Sequence, residues 1–255
     1  MDAVNRSRHI AGLGTPASAW GADPGLAGVP WADVDELAPP GARVLVVAPH
    51  PDDEVLASGG LMQLLAQAGR APTIVAVTDG EGSHPDSPAW PRERLRAVRA
   101  GETVEALARL GIGRPVLERL RIPDGGVSAA EQTLAAGLAQ LLTPGDVVVT
   151  TWRYDGHPDH EATARACAAA ASLRGARLLE VPVWGWHWSA PGDGAIPLAR
   201  ARKLVLPPAL LERKRAALAC FRSQVQADAS TGAAPILFPT ALARLLAPWE
   251  VYVGQ

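Results

Sequence analysis

Three short apolar runs limit the folds open to this chain. Arg43-Val-Leu-Val-Val-Ala48, Thr73-Ile-Val-Ala-Val-Thr78 and Asp146-Val-Val-Val-Thr-Thr151 lack the apolar–polar alternation of a half-buried strand. Continuous runs of this kind suit strands covered on both faces, which belong to parallel sheets. Between and beyond them, helical spacing is expected over 55–69, 92–110, 129–142, 161–173 and 208–222. Weaker strand signals occur over 115–120, 177–183 and 203–206. Strands that alternate with helices predict an α/β fold, a mostly parallel sheet with helices on both faces.

The 255 residues, 48% of them hydrophobic, suffice for one large core. No internal repeat or second composition regime is seen, so a single domain over 41–255 is expected. Residues 1–40 are rich in Gly, Pro, Ala and Asp and read as an irregular arm that Trp20 and Trp31 pin to the domain surface. The formal net charge of −2 gives no general attraction to nucleic acid or anionic membrane. No apolar run reaches the ~18 residues of a membrane span. The N-terminus, with Arg6, Arg8 and His9, lacks the apolar stretch of a signal peptide, so a cytoplasmic location is expected. Cys167 and Cys220 form no CxxC pair and read as small buried hydrophobes.

Ligands of such sheets bind beyond the carboxyl ends of the strands. Two polar clusters stand there. His50-Pro-Asp-Asp-Glu54 follows the first run, and Asp155-Gly-His-Pro-Asp-His-Glu161 follows the run ending at Thr151. Alone, the first cluster could be a helix N-terminus, where acidic residues are favoured by capping and by the helix dipole, and the second could be a turn. Together they put three histidines and several carboxylates where packing has no use for them. A His and an Asp three apart on a turn entering a helix can reach one ion, and His160 can supply a third ligand. Three protein ligands plus water is the pattern of a catalytic zinc site.

The pair Ala48-Pro-His-Pro-Asp-Asp-Glu54 and His157-Pro-Asp-His160 resembles the PIG-L-like (LmbE-like) family of zinc-dependent N-acetylglucosaminyl deacetylases. The likeness runs from about 43 to 224, with Pro49 standing where the family commonly has Ala, a change that leaves the ligand spacing intact. The resemblance implies a Rossmann-like fold, one Zn2+ (or another divalent metal) held by His50, Asp53 and His160, and Asp52 as general base. It also implies that His157 faces the oxyanion or leaving amine. The chemistry agrees: amide hydrolysis needs an activated water, a stabilised oxyanion and a proton for the departing nitrogen. Asp159 is expected to hydrogen-bond His157 and favour its imidazolium. Glu54 is read equally as a support of the site and as a helix N-terminal carboxylate.

On the substrate side, the resemblance points to Arg99, with Glu102, and to Asp124 in Ile122-Pro-Asp-Gly-Gly126 as contacts to the sugar. Val183-Trp-Gly-Trp-His-Trp188 is read as a strand with its tryptophans on one face, part core and part wall of the cleft. Trp184, Trp186 and His187 are therefore substrate-binding candidates. The resulting expectation is a hydrolase that removes an N-acyl group, acetyl above all, from a small-molecule amino-sugar conjugate. It has no nucleic-acid partner, and a homo-oligomer stays open. One alternative is the same centre acting on another N-acyl substrate, such as a glycosylated natural product or a longer acyl chain. Another is a non-catalytic metal-binding protein, which would have no need of a free Asp52 and His157. A nucleotide-binding protein is disfavoured, because carboxylates rather than glycines follow the first run.

Overall fold

The computed structural model describes residues 8–113 and 115–254. Residues 1–7, which include Arg6 and the start of the expected arm, lie outside the described residues. Among the described residues, seven strands form one sheet: β1 Val44–Ala48, β2 Thr73–Thr78, β3 Val116–Ile122, β4 Val147–Thr151, β5 Arg177–Val181, β6 Ala201–Val205 and β7 Trp249–Gly254. Their order is β3-β2-β1-β4-β5-β7-β6. The first five are mutually parallel, and β7 runs antiparallel to both β5 and β6. β1 and β4 are adjacent, with Val47 opposite Thr150. Strand order reverses at this pair, so the two polar clusters leave the sheet side by side at the switch point.

The helices are α1 Ala17–Gly21, α2 Pro24–Ala27, α3 Val34–Leu37, α4 Asp53–Gln67, α5 Arg92–Arg109, α6 Val127–Leu141, α7 Pro158–Arg174, α8 Gly185–Trp188, α9 Pro208–Leu218, α10 Arg222–Val225 and α11 Pro239–Leu245. Every residue of β1 and β4 is buried. Alternate residues serve opposite faces, as strand geometry requires. Val44 and Val46 pack into one core with Leu56, Leu61 and Leu107, while Leu45 and Val47 pack into another with Leu134, Leu138 and Cys167. No helix among the described residues is long and apolar enough to cross a membrane.

Residues 8–40, expected to be irregular, carry α1 to α3. Asp23 and Asp33 cap α2 and α3 with their side chains. Trp20, Leu26 and Leu37 are buried, so this segment completes one face of the core, whereas Trp31 is exposed. A second departure lies at the Trp-rich segment. The strand ends at Val181, and Gly185–Trp188 is a single helical turn. Its tryptophans therefore do not share one face.

α4 is broken at Ser58, whose φ of −142° leaves the helical region. Ser58 Oγ donates to Glu54 O at 3.1 Å, a local bond that competes with the helix ladder. A buried ion pair repairs both broken ends. Lys214 Nζ donates to Leu56 O at 2.9 Å and to Glu250 Oε1 at 2.7 Å. The Glu250 carboxylate also accepts from Gly60 N at 2.7 Å and Leu61 N at 3.0 Å, and Tyr252 donates to it at 2.7 Å. Gly60 is required here, since a Cβ would collide with Leu206. The break leaves the first turn of α4, with Asp53 and Glu54, as a separately held piece.

Candidate active site

The turn from β1 into α4 brings His50, Asp52 and Asp53 to the switch point, and the turn from β4 into α7 brings His157 and His160. Pro158 occupies the first position of α7, where its missing N–H costs nothing. These side chains, with Arg99, Asp124 and Trp184, line a cavity of about 240 Å³ whose remaining wall includes Leu56, Gly82, Ser83, Gln224, Ile236 and Leu237.

The Asp53 carboxylate lies between two imidazoles. Its Oδ2 is 3.3 Å from His50 Nδ1 and 3.1 Å from His160 Nε2. Ligand atoms about 2.0–2.1 Å from one tetrahedral zinc stand about 3.3 Å apart, so the spacing suits such an ion. The hydrogen bonds behind the rings agree. His160 Nδ1 donates to Asp155 Oδ2 at 2.8 Å, leaving Nε2 toward Asp53. His50 Nε2 faces Asp124 Oδ1 at 3.2 Å and Asp159 Oδ2 at 3.3 Å, leaving Nδ1 toward Asp53.

Donor spacing alone groups His50 with His157 and His160, and His50 with Asp124 and Asp159, all ligand atoms within 4.8 Å of one another. All three carboxylates also accept backbone N–H groups, Asp53 Oδ2 taking His50 N at 3.0 Å. Asp159 accepts from Gly125 N at 2.7 Å and Val127 N at 3.2 Å, Asp124 from Gly82 N at 2.7 Å, and His157 Nδ1 from Asp159 N at 3.2 Å. Burial opposes the charge on His160, but Asp53 and Asp155 outweigh it and lift the ring to about 9. For Asp53, too, burial is overcome by the two histidines, and its carboxyl falls well below the usual range. Cation-seeking carboxylate and carboxylate-backed imidazoles are a fitting donor set for a divalent metal.

Asp52 is buried and holds φ +134°, a conformation rare for any residue with a side chain. Its N–H donates to Glu54 Oε2 at 3.0 Å, and its Oδ2 accepts from Arg99 Nη2 at 3.1 Å. Burial lifts its carboxyl to about 7, Arg99 opposing and Asp53 adding to the rise. A dication at Asp53 would draw that value down, keeping Asp52 ionised near neutrality. Burial also raises Glu54, to about 8.

Several expected roles change. Asp159 meets His157 only through its backbone N–H; its carboxylate backs His50 instead. His157 is not favoured as an imidazolium: burial first, then His160 and His50, push it down to about 3. With Nδ1 accepting a backbone N–H, the neutral ring carries its proton on Nε2. Arg99 offers few free donors, because its guanidinium donates to Gly80 O at 2.7 Å and Pro51 O at 2.6 Å as well as to Asp52. A Cβ on Gly80 would strike that guanidinium. Glu102 accepts from Ser223 N at 2.8 Å and Ser223 Oγ at 2.6 Å, so it ties α5 to α10.

Of the aromatic candidates, only Trp184 reaches the cavity. Trp186 is core, edge-on to Trp20 with ring centroids 4.9 Å apart. His187 is 2% exposed and spent on structure: Arg244 Nη2 donates to its Nδ1 at 2.8 Å, and its Nε2 donates to Ala11 O at 3.0 Å. The helical turn, rather than a strand, turns both away from the site. Sequence reasoning missed Gln224, Ile236 and Leu237, which come from a distant part of the chain without a motif. It quoted Asp155 within the second cluster but assigned it no role.

Residues 45–171 match the family model described as PIG-L, GlcNAc-PI de-N-acetylase. A 1D-myo-inositol 2-acetamido-2-deoxy-alpha-D-glucopyranoside deacetylase of Mycolicibacterium gilvum is 31% identical over 60% of this chain and 61% of its own length. The enzyme of the same name from Rhodococcus jostii is 26% identical over 72% of this chain and 82% of its own. The chain thus spans about three fifths of the first relative. Among solved structures, the A40926 pseudoaglycone deacetylase Dbv21 superposes with a TM-score of 0.58 at 25% identity, covering 84% of this chain and 96% of that one.

Proposed function

We propose, from the match of residues 45–171 to the PIG-L family of de-N-acetylases, that the chain hydrolyses the N-acyl bond, with acetyl as the first candidate, of an amino-sugar conjugate, using a divalent metal expected to be zinc. The observation that carries this reading is the Asp53 carboxylate between His50 Nδ1 and His160 Nε2, with a separate Asp52 and His157 in the same cavity.

Zinc held by His50, Asp53 and His160 would polarise the amide carbonyl and bring the pKa of an attacking water towards about 7. Asp52 takes a proton from that water as its oxygen attacks the carbonyl carbon. The Nε2–H of neutral His157 donates to the carbonyl oxygen as negative charge develops. Asp52 then returns its proton to the nitrogen as the C–N bond breaks, releasing a free amine and a carboxylic acid, which loses its proton to solvent. Arg99 holds Asp52 in place from behind. Asp124 can accept a sugar hydroxyl at the cavity edge while also backing His50.

The test is amine release from a panel of N-acetylglucosamine conjugates: an inositol glycoside, a chitobiose and an N-acylated glycopeptide. Protein stripped by a chelator should be inactive, and a divalent ion at one equivalent should restore it. Activity that survives complete metal removal would defeat the reading, as would no turnover of any member by metal-loaded protein.

Trp184 supplies a flat apolar wall, and sugars stack on such surfaces. Trp184→Ala should raise KM about fivefold, the equivalent of ~1 kcal/mol of lost stacking, with little change in Tm. A lowered Tm with unchanged KM would make Trp184 part of the core instead.

A further inference from the structure

Asp155 moves no proton in the chemistry above, yet it is fully buried and its carboxylate accepts four hydrogen bonds. Its Oδ1 accepts from Val183 N at 2.9 Å and Gly185 N at 2.8 Å. Its Oδ2 accepts from Trp184 N at 3.0 Å and from His160 Nδ1 at 2.8 Å. Its backbone carbonyl accepts from Trp188 Nε1 at 2.9 Å. One carboxylate thus meets three consecutive backbone N–H groups after β5 and the back of one imidazole after β4.

We propose that Asp155 is a positioning residue that fixes the tautomer and ring direction of His160 and locks that imidazole to the Val183–Gly185 segment carrying Trp184. The inference rests on the metal-site reading above and adds to it a support on the far side of the ring. The physical reason is the sharing of Oδ2. An ionised carboxylate can only accept, so the proton of a neutral His160 must sit on Nδ1, and the Nε2 lone pair is left facing Asp53 at 3.1 Å. The backbone donors hold the carboxylate itself, because any rotation of it would strand buried N–H groups. The same atoms thereby set the distance between the Asp53 pocket and the Trp184 wall.

Asp155→Asn separates this role from folding. The amide oxygen can still accept from two of the three backbone groups. Its NH2, turned to His160, is a donor, and the ring must then move its proton to Nε2, toward the place an ion would take. Zinc affinity of the folded variant, read by chelator competition, should fall about 10- to 100-fold, the range typical for loss of such a support. Trp188→Phe, which removes the bond to the Asp155 carbonyl and trims the ring stacked on Trp152 but leaves the Asp155 carboxylate alone, should leave zinc affinity unchanged. A folded Asp155→Asn protein with wild-type zinc affinity would overturn the proposal.

Should Asp155→Asn fail to fold, nitrogen-15 spectra of the wild-type histidines decide instead. In the zinc-loaded protein, a proton on Nδ1 of His160 and a metal-shifted Nε2 are expected. Zinc at Nδ1, with the proton on Nε2, would overturn the proposal. Failure of the wild-type chain to bind zinc at all would strike the metal-site reading itself, an outcome distinct from these.

Discussion

Asp52→Asn is expected to keep the metal and the fold while turnover falls by ~10²–10⁴-fold, the usual contribution of a general base. The amide keeps the shape of the carboxylate and can still accept from Arg99, but it cannot take a proton. Folding should survive because Asn matches Asp in size and branching, so the +134° conformation of this residue costs it about the same. The bond from its N–H to Glu54 is a backbone bond and is unaffected. Metal content by elemental analysis and kcat on the best conjugate of the panel check both halves. Retained turnover would remove Asp52 from the chemistry. Loss of the metal would mean that Asp52 and Asp53 exchange roles. Asp53→Asn is the counterpart: it should lose the ion as well as activity, since Asp53 is the carboxylate both imidazoles approach.

Lys214→Met should destabilise the chain by about 3–5 kcal/mol, the cost of removing one partner from a buried ion pair. The methionine fills the space of the alkyl stem but leaves Glu250 charged and buried with only its backbone and tyrosine donors. It also leaves Leu56 O without the donor that closes the break in α4. Since whole domains are stable by about 5–15 kcal/mol, such a loss is large. Urea denaturation of the metal-free protein measures it. The double variant Lys214→Met, Glu250→Gln should recover part of the loss, because it removes the stranded charge. A single variant within about 1 kcal/mol of the parent would show that the pair does not hold the break.

Much of this architecture is legible from residue order. β1, β2 and β4 were announced by apolar runs, because a strand buried on both faces needs apolar side chains at every position. The helices around them followed from spacing. β7 was not announced: it lies beyond a segment of short helices and pairs antiparallel at the far end of the sheet, where its neighbours are set by the chain's return rather than by local pattern. The arm over 8–40 looked irregular because helices of four or five residues leave no periodicity. Only their burial against the sheet makes them stable.

The same division runs through the site. The two clusters were readable, as turn chemistry and ligand chemistry ask for the same residues at the entrance of α4 and α7. That β1 and β4 stand side by side, and so bring the clusters together, depends on strand order, which no local segment encodes. Val183–Trp188 gives the sharpest contrast. Alternating tryptophans satisfy the period of a strand, yet the turn after β5 is wound by three N–H groups that converge on Asp155, a residue 28 to 30 positions earlier. That distant carboxylate sends Trp184 to the cavity and buries Trp186 and His187. By itself, then, the sequence determined which side chains could do the chemistry and which strands would carry them. Tertiary structure alone decided which tautomer each histidine presents, which carboxylate stands behind it and which tryptophan reaches the cavity, because these are set by hydrogen bonds between segments that meet only when the sheet has formed.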